Sequence, residues 1–185
     1  MDTRGTRTCL HLGVVVAASL LLAACDIRVR GDHHGRDADL DVRTPFGGFS
    51  ARTDIDTRET GLPSYPGARP LRDRNEGDRA SVRINSSFFD FEVAAAKFES
   101  DDKPEAIAAF YREAMRTYGE VLECRGDVDF KGRRSRRRAV CDESLSGRET
   151  QLVAGSENNH RTVSIKPRGS GSEFALVYIN TREDN

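Results

Sequence analysis

Tryptophan is absent from this 185-residue chain, methionine occurs twice, proline six times and cysteine four times. With no tryptophan, the largest flat ring on which a carbohydrate site stacks is missing. No excess of either charge sign is present: Lys and Arg total 29, Asp and Glu 30. That balance excludes general nucleic-acid binding, which needs a strongly basic face. No glycine-rich phosphate loop, nucleophile elbow or metal-ligand spacing occurs. Carboxylates are plentiful but scattered, so no pair stands out as acid and base. His160 is the one histidine of the C-terminal two thirds, in a polar Asn-Asn-His turn with Ser156 and Glu157 nearby. It carries no accompanying catalytic signature and reads as structural. The sequence therefore assigns no catalytic residue, no metal and no cofactor.

What is present begins at the N-terminus. Arg4 and Arg7 precede an uncharged run, residues 12–24 (LGVVVAASLLLAA), 13 residues long. A membrane-crossing helix needs about 20 apolar residues, so this run matches the hydrophobic region of a secretory signal instead. It ends in Leu22-Ala23-Ala24-Cys25, which resembles the bacterial lipobox. The resemblance implies cleavage before Cys25 and lipid attachment to its thiol. Residues 1–24 are then a lipoprotein signal peptide, and the mature chain is expected in the bacterial cell envelope. There it is lipid-anchored to the periplasm-facing side of the inner or the outer membrane. Losing Arg4, Arg7 and Asp2 leaves the mature chain with 27 basic and 29 acidic residues.

Residues 25–60 follow as a tether rich in Asp, Arg, Gly and Thr. The stretch 31–41 (GDHHGRDADLD) has few apolar residues and reads as a flexible spacer. His33, His34, Asp32 and Asp37 lack the spacing of a preformed metal site. From Leu40 the pattern alternates through Val42 and Thr44, turns at Pro45–Gly48, and alternates again through Phe49, Ala51, Thr53 and Ile55. That spacing predicts a short hairpin.

Residues 61–185 form one domain of ordinary size. Gly61-Leu62-Pro63-Ser64-Tyr65-Pro66-Gly67-Ala68 makes its entrance, with Leu62 and Tyr65 as apolar anchors. Strands are predicted near 82–84 and 88–98, the second with a bulge or a local twist because Phe88 and Phe98 break the parity of Phe89, Phe91 and Val93. Ile107, Phe110, Tyr111, Ala114, Met115 and Tyr118 recur at helical spacing, with Asp102 as the expected cap and Gly119 as the stop. Five further strands are expected near 120–124, 138–142, 149–153, 161–167 and 173–181. The last two join through a hairpin loop at 167–171. The pattern predicts an α+β fold, an antiparallel sheet with one main helix packed on one face.

The YPGA segment (65–68), the Phe110-Tyr111 helix, Leu122-Glu123-Cys124, a second cysteine and the closing Phe174-Ala175-Leu176-Val177-Tyr178 strand together resemble a group of small exported bacterial lipoproteins. That group has no assigned activity. The resemblance spans about residues 40–182 and supports export and the domain limits alone.

Two features remain. Lys131, Arg133, Arg134, Arg136, Arg137 and Arg138 crowd six basic residues into eight positions, a contact for anionic head groups or an acidic envelope partner. The bland alternative is a solvated loop balanced by Asp127, Asp129, Asp142 and Glu143. Cys124 and Cys141 survive signal cleavage and lipidation as an even pair in an oxidising compartment, where a disulfide is expected. The expected function is a membrane-anchored, non-enzymatic binding or scaffolding module. An enzyme, or an enzyme's accessory subunit, acting on an envelope polymer is the alternative.

Overall fold

Alternation of apolar and polar side chains decides where the strands run. A computed structural model describes residues 26–31, 38–53, 56–71, 79–133, 137–142 and 147–183. Among the described residues six strands precede the main helix: β1 (Asp26–Gly31), β2 (Ala38–Thr44), β3 (Gly47–Arg52), β4 (Arg69–Pro70), β5 (Arg79–Ser86) and β6 (Phe89–Ser100). Helix α1 (Pro104–Met115) leads into β7 (Val121–Arg125), β8 (Val128–Lys131), β9 (Arg138–Cys141), β10 (Thr150–Ser156), β11 (Asn159–Arg168) and β12 (Gly171–Glu183). Ten strands make one antiparallel sheet in the order β1-β2-β3-β5-β6-β12-β11-β10-β7, with β4 beside the end of β6. β8 and β9 pair separately. The fold is α+β.

One half of the sheet carries the core. Ala96 and Phe98 of β6, Phe174 and Leu176 of β12, Val163 and Ile165 of β11, and Leu152 and Ala154 of β10 all face α1. The helix answers with Ile107, Ala108, Tyr111 and Met115, all buried. Leu62 completes the core and Tyr65 packs at its rim, its ring 5.2 Å from Phe110 and 6.1 Å from Phe174. The Tyr111 hydroxyl donates to the Pro63 carbonyl at 3.1 Å, so the entrance segment is tied to the helix it covers. Burial raises the Tyr111 phenol well above its usual range.

Several expectations need correction. Residues 26–31 are a strand of the main sheet rather than a tether, while the hairpin expected from Leu40 is present as β2 and β3. Ile27 and Val29 alternate with Arg28 and Arg30, and the register sets Arg28 opposite Asp41, Arg30 opposite Asp39 and Asp26 opposite Arg43. Opposite charges thus stand across from one another in the register, while the ion pairs themselves run along each strand, Arg28 to Asp26 and Arg43 to Asp41. β6 has no bulge: its register with β12 is continuous from Phe89 to Ser100. Both parities are apolar because Phe91 and Val93 face one side while Ala94, Ala96 and Phe98 face the helix. Lys103, not Asp102, is the N-cap of α1 and makes no side-chain cap bond. The Asp102 carboxylate instead accepts from the Tyr65 hydroxyl at 2.9 Å. The short strand β8 was not expected. The segments 1–25, 32–37, 54–55 and 72–78 lie outside the described residues, and with them the signal, Cys25, His33, His34 and Ile55.

A 3-10 turn at Thr57–Thr60 packs Thr60 into the interior, and Asp56 caps it by accepting from the Arg58 amide at 2.9 Å. The Arg58 guanidinium and that amide hold the Asp56 carboxyl at about 2. A depressed folded pKa means the cap is fully present above the ordinary aspartate value of about 3.9 and is lost as pH falls through about 2. Carbon-detected NMR of Asp56 should give a midpoint near 2, and Arg58→Ala should raise it. A midpoint indifferent to Arg58 removes the attribution.

Candidate functional site

The helix covers one face of the sheet, and the β8–β9 hairpin covers part of the other. Leu152 and Ala154 of β10 meet the helix, so Gln151 and Val153 point away from it. Cys124, the register partner of Gln151, points the same way and is buried. Its disulfide to Cys141, with Cα atoms 5.4 Å apart, pins the hairpin against this face. Gln151 Nε2 donates to Asp127 Oδ1 at 3.1 Å, and the Phe130 ring sits 4.9 Å from the His160 ring.

His160 is a structural residue of this packing. Its Nδ1 lies 3.1 Å from the Ser156 carbonyl oxygen and 3.0 Å from that of Glu157. Two acceptors select the tautomer with its proton on Nδ1, assigned from these partners. The ring is buried under Phe130 and closes the β10–β11 turn.

The basic segment spans this hairpin. Lys131 and Arg138 are cross-strand partners at its outer end. Arg133 and Arg137 flank the tip, while Arg134 and Arg136 lie outside the described residues. Arg137 is held by Glu157 at 2.6 Å, and Lys131 reaches Asp129 at 3.9 Å. All four described basic side chains are exposed, and the bridge holds their base.

Sequence reasoning missed a second charged surface, on the helix-side face of β1–β3 and β5. A shallow cavity of about 320 Å³ there is lined by Arg28, Arg30, Arg43, Arg52 and Arg83, with Asp39 and Asp41 among them. Four of the guanidiniums have carboxylate partners: Arg28 with Asp26 at 2.8 Å, Arg43 with Asp41 at 2.9 Å, Arg52 with Glu59 at 2.7 Å, and Arg83 with Glu92. The readable signal was a charge at every second residue, which on a strand puts all the charges on one face. Exposed pairs of this kind are worth about 0–1 kcal/mol each. A partner bearing carboxylates or phosphates can therefore exchange with them at small cost, and Arg offers it a planar two-pronged donor. Across the sheet, Arg161 lies between the rings of Tyr118 and Tyr178, 3.9 and 4.4 Å from their centroids. That contact cements the helix end to the sheet.

Among the described residues no three His, Cys, Asp or Glu side chains converge as a metal site, and no helix is long and apolar enough to cross a membrane. Compared with protein-family models, with curated proteins and with solved structures, the chain matches none.

Proposed function

We propose that this chain is a lipid-anchored lipoprotein of the bacterial cell envelope whose domain binds or scaffolds another envelope component and performs no chemistry of its own. The observation that carries the reading is the N-terminal sequence. A 13-residue uncharged run ends in Leu-Ala-Ala-Cys, and the first strand of the sheet begins at the next residue, Asp26. Acyl chains contribute about 0.8 kcal/mol per buried CH₂, so two or three hold a small domain on a bilayer durably. The two arginine-bearing surfaces support recognition of an anionic partner, a lipid head group, an envelope polymer or an acidic protein. Four of the five arginines around the cavity are paired within the fold, which suits reversible contact. The test is the intact mass of the mature N-terminus. An N-terminal residue other than acylated Cys25 overturns the anchor, and Cys25→Ser should release the protein from the membrane fraction.

A further inference from the structure

The register of the sheet gathers its exposed aromatic residues at one end. Asp26 opens β1 and is the register partner of Arg43, which pairs with Gly48, and Gly48 pairs with Asn85. Immediately beyond that row lie two hairpin tips, Pro45-Phe46 between β2 and β3, and Ser87-Phe88 between β5 and β6. Phe46 is 70% exposed, Phe88 78% and Phe89 43%, and Ile27 beside Asp26 is 63% exposed. They account for four of the five large apolar side chains left open among the described residues. β1 and β5 are three strand steps apart, about 15 Å, so the cluster is compact.

Both tips have their backbone polar groups tied down locally. Thr44 Oγ1 accepts from the Phe46 amide at 3.2 Å and donates to the Gly47 carbonyl at 2.9 Å. In the second tip, Ser86 Oγ accepts from the amides of Phe88 and Phe89 at 3.2 and 3.0 Å and donates to the Phe89 carbonyl at 3.0 Å. A hydroxyl residue two positions before the phenylalanine thus serves each turn. Backbone groups already bonded cost less to move out of water than free ones.

Cys25 is joined to Asp26 by one peptide bond, so their Cα atoms are about 3.8 Å apart. A lipid on Cys25 would therefore enter the bilayer at this same end. We infer that the bilayer surface is the occupant of this aromatic end: Phe46, Phe88 and Phe89 seat in the membrane interface beside the acyl chains. This rests on the lipoprotein reading. Acyl chains already hold the protein, so the tips set its orientation, standing the strands of β1–β6 away from the membrane. Phe, with Trp and Leu, is a side chain that membrane-surface anchors bury at the boundary between head groups and acyl chains.

The lack of tryptophan makes the test direct, because Phe46→Trp and Phe88→Trp each install a single reporter. Ser170→Trp places a control in the β11–β12 turn, at the opposite end of β12, about 40 Å away along the strand. The mature full-length protein is reconstituted in phosphatidylethanolamine–phosphatidylglycerol vesicles with brominated acyl chains, and its N-terminal mass is recorded. F46W and F88W should be blue-shifted and lose emission to the brominated chains, with S170W unchanged. If Cys25 is acylated and the two tip reporters are quenched no more than S170W, the inference fails while the anchor stands. If the mass shows no acyl chain, the anchor reading fails, and the same reporters with added vesicles decide: quenching supports the tips, and its absence overturns them.

Discussion

Phe174→Ala is expected to lower the unfolding free energy by about 3–5 kcal/mol, the cost of a large cavity in a well-packed core. Phe174 is fully buried on β12, stacked on Phe98 at 5.5 Å and 5.8 Å from the Tyr111 ring. It is where β6, β12, α1 and the entrance segment meet, so few neighbours can collapse into the space. Domain stabilities run about 5–15 kcal/mol, and such a loss leaves the variant near the threshold of folding. Urea unfolding followed by circular dichroism gives the number. Phe88→Ala, at an exposed tip, should stay within about 0.5 kcal/mol of the parent. If Phe174→Ala behaves like that control, the ring does not fill the core.

The second large effect belongs to the bridge. Cys124 and Cys141 close a loop with a sequence separation of 17. In the chain-entropy model a loop of about 15 residues contributes about 3 kcal/mol, by restricting the unfolded chain. The paired Cys124→Ala, Cys141→Ala variant should melt roughly 10 °C lower. Among the described residues the other contacts of the β8–β9 hairpin include Phe130 on His160, Gln151 to Asp127 and the Arg137–Glu157 pair. Without the bridge the hairpin should loosen before the sheet does, exposing Val153 and His160. Thiol titration of the native protein should find neither cysteine reactive. Two free thiols would remove the bridge and the prediction with it.

The parts of the fold that local chemistry specifies were legible in the sequence. The α1 stripe, the Gly169 turn and the two-sided alternation of β12 each follow from spacing within a dozen residues. The Cys124–Cys141 pair followed from compartment and parity of number. What escaped was set by partners far along the chain. Asp26–Gly31 reads as a polar linker until Asp39, Asp41 and Arg43 stand opposite its charges. Phe88 and Phe98 look out of phase until one end of β6 is seen to face the helix and the other a turn. Asp102 was a sound cap by type, but Tyr65, 37 residues earlier, claims its carboxylate. The clustering of Phe46 and Phe88 was invisible for the same reason: it exists in the sheet register and nowhere in the sequence order.

The placement of β12 bears on how the molecule is made. β1, β2 and β3 pair in succession, as do β5 with β6 and β10 with β11. Each can form as its residues leave the ribosome or a translocation channel. β12 alone joins the two halves, lying between β6 and β11, and its Ser172 pairs with Ser100, far back in the chain. It is the last described strand to be synthesised. Until it arrives, β6 keeps an open edge, and the helix lacks Phe174 and Leu176 beneath it. The N-terminal hairpins must therefore wait as an unfinished sheet, with their alternating Asp and Arg side chains discouraging edge-to-edge association meanwhile.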